Sequence, residues 1–413
     1  MNAPFGKKAT FITALCSLVY FVSYLARKNF AASLAGMLRD GVIDKSLGGF
    51  VGMAMFICYG IGQLLSGYLG DKFKPTAIIS IGLLMTAVCN LTFPLSKSWV
   101  MVLIWAVNGL AQAMLWPPII KILSSELDGE AFVKANLYVT SAAHASTVLL
   151  YLYVPLCLKI ASWRLAFITA GVLSALVLVF FALAMWRLLS NSNRTNSNMP
   201  QGTVDGDGLL KTAHRAGIIP ILLSIVMMGF LRDGIETWLP TLYSEAFGAG
   251  AEESTLLSVC LPIFAIICTV LITKLHKRPR FSNEIKGSII IFSITAALGI
   301  PLAFLIEMSG GVSSFVCLFL AALITGLMHA SNFLLISCLP GRFAACGKAS
   351  SAGGITNACV YIGAALSMYG IPAISTSLGL SFTVVSWIII SALGILFSFL
   401  ALGRYTRFIG CNN

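Results

Sequence analysis

The chain has 413 residues, of which 58% are hydrophobic and only 10% are charged, and its mean hydropathy is +0.91. A soluble domain carries roughly a quarter charged residues, so this composition excludes a soluble globular protein. The formal net charge of +12 is interpreted as the basic residues of cytoplasmic loops and not as the mark of a nucleic-acid partner. The sequence predicts an all-α polytopic protein embedded in the lipid bilayer.

The apolar runs predict twelve membrane-spanning helices in two sets of six. The first set is expected at residues 9–38, 47–70, 75–95, 98–125, 131–160 and 163–188. The second set is expected at residues 214–246, 252–275, 285–307, 312–339, 346–376 and 379–403. The polar residues between the sets are rich in Ser, Asn and Gly, as in a flexible linker. We therefore predict two six-helix bundles, residues 1–189 and 214–413, joined by a linker at residues 190–213.

Basic residues predict how the helices are oriented. Lys7 and Lys8 precede the first helix, and most Lys and Arg residues lie in loops that share its starting side. Cytoplasmic loops carry an excess of Lys and Arg. The first apolar run is also too long for the core of a cleavable signal peptide. We expect a multi-pass protein of the inner (plasma) membrane, with both termini and the linker in the cytoplasm.

Two arginines lie inside predicted helices, at equivalent places in the two halves. Arg27 follows an apolar run that begins at Thr10, and Arg232 lies in the first helix of the second half. A guanidinium at the bilayer centre costs roughly 2.5–3.5 kcal/mol on insertion scales. This cost is best tolerated where the arginine faces an internal cavity that binds an anion. Because the planar guanidinium donates to two oxygens and keeps its proton, it suits phosphate or carboxylate.

The sequence offers these two arginines different partners. The first half has no Asp or Glu inside any predicted span, so the positive charge of Arg27 invites an anion from outside the protein. Asp233 and Glu236 lie close to Arg232 in the sequence, and Glu236 is at i+4, where a helix brings side chains together. Pairing with a structural carboxylate is therefore an open alternative for Arg232.

Predicted helix four contains a polar residue and two consecutive prolines. Gln112 is uncharged and is expected to face the cavity, while Gly109 permits another helix to approach closely. Pro117 and Pro118 remove backbone hydrogen bonds and are expected to bend the helix. A structural helix that is merely kinked is the alternative.

Two histidines lie inside predicted spans. His144 is surrounded by small residues in helix five, and His329 lies in helix ten with Ser331 and Asn332 nearby. Ionisable groups within a membrane are often functional, and histidine titrates near neutral pH. His144 could therefore distinguish a phosphate monoanion from a dianion. A satisfied structural histidine is the alternative at both positions.

The segment after predicted helix two resembles a family signature. Residues 67–75 read Gly-Tyr-Leu-Gly-Asp-Lys-Phe-Lys-Pro. They resemble the G-x-x-x-D-[RK]-x-x-[RKP] motif of the major facilitator superfamily, in which Asp71 would cap a helix end beside a tight turn. Together with the two six-helix sets, this resemblance implies the major facilitator fold.

Four further blocks resemble the organophosphate:phosphate antiporters, a family that includes glycerol-3-phosphate and hexose-6-phosphate transporters. They are Tyr24-x-x-Arg27-Lys28-Asn29-Phe30, Gly109-x-x-Gln112-x-x-x-Trp116-Pro117-Pro118, Ala143-His144 and Leu231-Arg232-x-Gly234-x-x-x-Trp238-x-Pro240. The resemblance implies that Arg27 and Arg232 hold a phosphoryl group near mid-membrane, between the two bundles. It also implies that His144 and Tyr24 belong to the same site, and Gln112 and Trp116 are further candidates.

The chain departs from that family at several positions. Gln63 stands where some glycerol-phosphate carriers place a lysine, and Gly229 stands where they place a tyrosine one turn before the second arginine. Glu236 is placed as in the hexose-phosphate branch, whereas residues 350–357 lack the charged pair that this branch can carry. Gln63 and Glu236 join the candidate substrate-binding residues, and the cargo stays open.

The predicted function is exchange of an organic phosphate ester for inorganic phosphate by alternating access. One alternative is a proton-coupled carrier of another organic anion, with Asp233, Glu236 or His144 as the proton site. Another is a transporter-like sensor of phosphate esters.

Enzyme activity is not expected, because the sequence shows no paired nucleophile and base and no glycine-rich phosphate loop after a strand. No cofactor or metal is expected either, and the chain is expected to be a monomer.

Overall fold

A computed structural model describes residues 6–127, 129–190, 217–276, 278, 282–308, 311–346 and 349–412. The regular elements in these ranges are helical, and twelve segments are long and apolar enough to cross a membrane. This confirms the predicted all-α architecture with twelve spans. The predicted linker lies outside the described residues, apart from Ser190.

The described residues of the first half form seven α-helices. They are α1 (Lys7–Arg39), α2 (Lys45–Lys72), α3 (Pro75–Thr92), α4 (Trp99–Ala113), α5 (Trp116–Glu126), α6 (Gly129–Ile160) and α7 (Trp163–Ser190). The fourth span consists of α4 and α5 together, because Pro117 and Pro118 lie in the first turn of α5. A missing N–H costs little in a first helical turn, so the prolines begin a new helix instead of bending one.

In the second half, the part of the chain that the structure describes also forms seven α-helices. They are α8 (Ile218–Phe247), α9 (Ala251–Leu257), α10 (Cys260–Leu275), α11 (Glu284–Leu305), α12 (Gly311–Asn332), α13 (Ala349–Leu378) and α14 (Leu380–Asn412). The eighth span combines α9 with α10. A π-helix at Phe333–Cys338 and a 3-10 helix at Leu339–Cys346 follow α12. The last helix extends well past its predicted end at residue 403.

The signature segment is more helical than its motif suggests. Helix α2 continues through Asp71 to Lys72, and α3 begins at Pro75 with Lys74 as its N-cap residue. The turn is therefore confined to two residues. The side chain of Asp71, which we expected to cap a helix, lies outside the described residues.

The chain divides into two compact units. The first comprises Met1–Leu47 and Ala54–Pro200, and the second comprises Gly48–Met53 and Gln201–Asn413. In the first unit, α1 packs along α6 and α7, and α3 packs against α7 and α4. Aromatic rings fill part of this core: Phe93 stacks on Phe167 at 4.6 Å between centroids, with Trp105 beside both.

Glycines allow helices to approach closely in each unit. A Cβ built on Gly109 of α4 would overlap the carbonyl oxygen of Met55 on α2, which confirms the predicted close approach. In the second unit, a Cβ on Gly229 of α8 would overlap the carbonyl oxygen of Val360 on α13. A tyrosine cannot occupy position 229 in this packing, which explains one departure from the antiporter pattern.

A buried acid ties together three elements of the second unit. Glu284, at the start of α11, is fully buried and accepts from Arg342 Nε at 2.9 Å and from Tyr405 Oη at 2.9 Å. His276 Nε2 lies 3.7 Å from the same carboxylate. These contacts join α11, the 3-10 helix and α14. Removing one partner of a buried ion pair leaves an unpaired buried charge, which strongly destabilises a protein. We therefore interpret this cluster as one that stabilises the fold.

Candidate functional site

Arg27 lies against two tyrosine rings. The guanidinium carbon is 4.2 Å from the ring centroid of Tyr24, one turn earlier on α1, and 5.1 Å from that of Tyr59 on α2. A guanidinium above an aromatic face is stabilised by about 0.5–2 kcal/mol, with the larger values where water is excluded. Tyr59 is almost fully buried, whereas Arg27 and Tyr24 are half-buried. The rings therefore hold the guanidinium, and Arg27 as a whole residue is only partly buried.

The aromatic surface continues from Tyr24 to α5. The Tyr20 ring lies 5.0 Å from Tyr24 in an edge-on arrangement and 4.7 Å from Trp116. The structure thus connects three predicted site residues, Arg27, Tyr24 and Trp116, through Tyr20. Tyr20 lies at i−4 from Tyr24, so helical spacing could have added it to the prediction.

Three buried asparagines fix the backbone beside Arg27. Asn90 Nδ2 of α3 and Asn108 Nδ2 of α4 donate to the Ala26 carbonyl oxygen at 3.0 and 3.1 Å. Asn29 Nδ2 of α1 donates to Asn90 Oδ1 at 2.7 Å. All three asparagines are fully buried. These hydrogen bonds link α1 to α3 and α4 across a buried interface. The residue before Arg27 is therefore anchored to α3 and α4.

The predicted glutamines make contacts inside the first unit. Gln63 Nε2 donates to the Ala113 carbonyl oxygen at 3.2 Å. Gln112, which we expected to face the cavity, is buried, and its Nε2 donates to Thr86 Oγ1 at 3.3 Å. Both amide nitrogens therefore link neighbouring helices. His144 is half-buried on α6, the helix that packs along α1.

Arg232 is paired with a carboxylate and an amide. Its Nε and Nη2 donate to Asp233 Oδ2 at 3.1 and 2.5 Å, and its Nη1 donates to Asn332 Oδ1 at 2.6 Å. The side chains of Arg232 and Asp233 are only 11% and 6% exposed. Carboxylate contacts of this kind are stronger than neutral hydrogen bonds. Asp233 therefore balances the charge of Arg232 within the protein.

A second acid lies one turn further along α8. Glu236 is buried, and its Oε2 is 3.8 Å from His329 Nε2 on α12. Glu236 and Tyr361 of α13 lie within electrostatic range of Arg232, and His329 lies beside Glu236. The sequence pointed to Glu236 at i+4, whereas Arg232 pairs directly with its neighbour Asp233. Adjacent helical residues usually face apart, so this pairing could not be predicted from spacing.

Similar proteins identify the family. The family model of the Major Facilitator Superfamily matches residues 16–368. A probable hexose phosphate transport protein of Chlamydia trachomatis is 34% identical over 108 residues, which cover 26% of this chain and 24% of that protein. The membrane sensor protein UhpC of Escherichia coli is 29% identical over 109 residues, covering 26% of this chain and 25% of that one. The glycerol-3-phosphate transporter of Bacillus subtilis is 23% identical, and the match covers 56% of each chain.

These matches span between about a quarter and just over half of the curated relatives' lengths. They confirm the resemblance to the organophosphate:phosphate antiporters. Among solved structures, a bacterial homolog of the human lysosomal transporter Spinster superposes with a TM-score of 0.77 at 13% identity, covering 98% of this chain and 99% of that one. The nucleoside transporter NupG gives 0.74 at 13% identity, covering 95% and 100%. The chain shares the fold of these two transporters, and it belongs to the Major Facilitator Superfamily.

Proposed function

We propose that this protein is a secondary transporter that exchanges an organic phosphate ester for inorganic phosphate by alternating access. The observation that carries the proposal is Arg27, a guanidinium held in a membrane span by Tyr24 and Tyr59 and anchored by buried asparagines. The proposal is supported by relatives named as hexose phosphate and glycerol-3-phosphate transport proteins. In this proposal both termini lie in the cytoplasm of a cell whose inner membrane holds the protein.

The hydrogen-bond donors of the proposed site determine which ligand it can bind. Arg27 and Arg232 would each donate to phosphoryl oxygens, and a charge-assisted hydrogen bond of this kind is worth about 1.5–3 kcal/mol. The hydroxyl of Tyr24 offers a further donor, and Trp116 extends the apolar wall next to it through Tyr20. His144, Glu236, Gln63 and Gln112 complete the proposed set. The organic part of the ester would contact the aromatic residues.

Exchange can be measured with purified protein in liposomes. Vesicles preloaded with inorganic phosphate should take up labelled phosphate, and external glycerol-3-phosphate or glucose-6-phosphate should compete. Arg27→Ala should abolish this uptake, because it removes the guanidinium. Absence of exchange by folded wild-type protein would contradict the proposal. Phosphate-ester binding without any transport would identify a sensor instead. This outcome is worth testing because one of the relatives is named as a membrane sensor protein.

The acids around Arg232 favour a second candidate function. Asp233 and Glu236 are buried carboxylates, and a carboxylate inside a membrane span is a common proton site. This arrangement suits a proton-coupled carrier of another organic anion. Uptake that follows an imposed pH gradient and needs no internal phosphate would support this candidate. It would be contradicted if collapsing the gradient left the initial rate unchanged.

A further inference from the structure

The contacts of Arg232 divide its hydrogen-bond donors into two groups. A guanidinium has five N–H donors. Within the described part of the chain, Asp233 accepts from two of them and Asn332 from one. Two N–H groups, one on each Nη nitrogen, take no part in these hydrogen bonds. The carboxylate of Asp233 therefore balances the charge of Arg232 without using every donor.

The surrounding packing keeps this pair in place. Asp233 is buried, and the next residue, Gly234, lies so close to α13 that a Cβ would come within 2.6 Å of Ser367 Cβ. Because the backbone of α8 lies directly against the side chains of Ser367 and Ile371 on α13 here, the peptide that carries both charges has little freedom to move. The pairing is a property of the packed second unit and does not depend on a flexible loop.

We propose that Asp233 supplies the counter-charge that lets the unloaded carrier change conformation, so that the protein catalyses net transport of phosphate as well as exchange. This inference rests on the proposed function. An exchanger changes conformation only when loaded, because a buried arginine without its anion is costly to enclose. The Asp233 carboxylate, fixed on the Arg232 guanidinium, removes the cost of enclosing that arginine during the return of the unloaded carrier. Net transport is then possible in the absence of a counter-anion.

The two modes are separated by the contents of the vesicles. Labelled inorganic phosphate is added outside liposomes that contain either inorganic phosphate or potassium chloride alone. Valinomycin with equal potassium on both sides holds the membrane potential near zero. Uptake into phosphate-loaded vesicles measures exchange, and uptake into chloride vesicles measures net transport. We expect the wild-type protein to show both.

Asp233→Asn provides the decisive variant, since it keeps the shape of the side chain and removes its charge. We expect the ratio of net transport to exchange to fall at least tenfold, because the bound anion still compensates Arg232 during exchange. Asp233→Glu keeps the carboxylate and should retain at least a third of the wild-type ratio. Glu245→Gln, which removes an exposed acid from the same helix, is the matched control and should leave the ratio within twofold of wild type.

The possible results separate the inference from the function on which it rests. Exchange without net transport in the wild type would overturn the inference alone, as would an unchanged ratio in Asp233→Asn. Absence of both activities would overturn the proposed function and the inference with it.

A thermal measurement tests the counter-charge without transport. In phosphate-free buffer, Asp233→Asn should lower the melting temperature, and Arg232→Gln combined with Asp233→Asn should recover most of the loss. An additive double-mutant cycle would overturn the inference, because it would show that the two side chains do not stabilise each other.

Discussion

The two arginines occupy equivalent places in the sequence but have different partners in the structure. Arg27 lies on the faces of Tyr24 and Tyr59, which attract a cation but carry no formal charge. Arg232 is bonded to Asp233, whose carboxylate balances its charge. Equivalent positions in two related halves therefore do not have equivalent electrostatics. The difference suggests that the first arginine recognises the anion and that the second is also involved in the return of the unloaded carrier.

The helices that carry the arginines are also fixed by different means. On α1, the carbonyl before Arg27 accepts from Asn90 and Asn108, so buried amides anchor the backbone. On α8, Gly229 lies one turn before Arg232 and brings the backbone against Val360 of α13. The first site is thus held by hydrogen bonds and the second by close packing. These contrasts can be tested one at a time.

The largest effect is expected from replacing each arginine by lysine. Arg27→Lys should lower phosphate exchange about a hundredfold, because lysine loses the planar fork of donors. Arg232→Lys should cost only about tenfold, since an ammonium can still pair with Asp233. Initial rates of labelled phosphate exchange measure both. Arg164→Lys, at an exposed arginine, is the control. Equal losses at the two sites, or a larger loss at position 232, would contradict the proposed division of roles.

The asparagine network should stabilise the first unit. Asn90 donates to Ala26 O and Thr86 O at 3.0 Å each and accepts from Asn29 at 2.7 Å. Asn90→Ala should lower the free energy of unfolding by about 2–3 kcal/mol, because each net hydrogen bond is worth about 1 kcal/mol. Denaturant titration of the purified protein measures this loss.

Thr92→Ala is the matched control for Asn90→Ala, because it removes a hydrogen bond at the exposed end of the same helix. Its effect should stay within about 0.5 kcal/mol. A loss in Asn90→Ala that is no larger than this would show that the network does not anchor α1.

Close packing at Gly229 should matter in the second unit. Gly229→Ala should destabilise the protein by about 1–2 kcal/mol, because the added methyl overlaps the Val360 carbonyl oxygen and the helices must separate. The melting temperature should fall, and exchange should fall with it. Gly370→Ala is the control, since a Cβ there meets Phe230 at an ordinary 3.4 Å. If the two variants melt at the same temperature, packing at Gly229 is not what positions Arg232.

The sequence predicted the parts of the site that depend on local pattern. Long apolar runs located the twelve spans, and an arginine inside such a run is conspicuous, so Arg27 and Arg232 could be found directly. The partners depend on tertiary register. Tyr59 reaches Arg27 because α2 packs beside α1, and Asn90 reaches Ala26 across 64 residues of sequence. No spacing rule predicts such contacts. Asp233 was visible as a neighbour, but its bond to Arg232 requires both side chains to turn toward each other.

The smallest effect is expected from the ring of Tyr59, and it tests whether aromatic contact supports Arg27. Tyr59→Leu removes the ring and should weaken phosphate binding about threefold, in line with a cation–π contribution of about 0.5–1 kcal/mol. Tyr59→Phe keeps the ring and loses only the hydroxyl, so it should weaken binding less than Tyr59→Leu does. Isothermal titration with inorganic phosphate measures both. If both variants weaken binding equally, the hydroxyl is the important group and Arg27 does not depend on the ring face. A loss confined to Tyr59→Leu would show that a neutral aromatic surface supports the first arginine, in contrast to the carboxylate that supports the second.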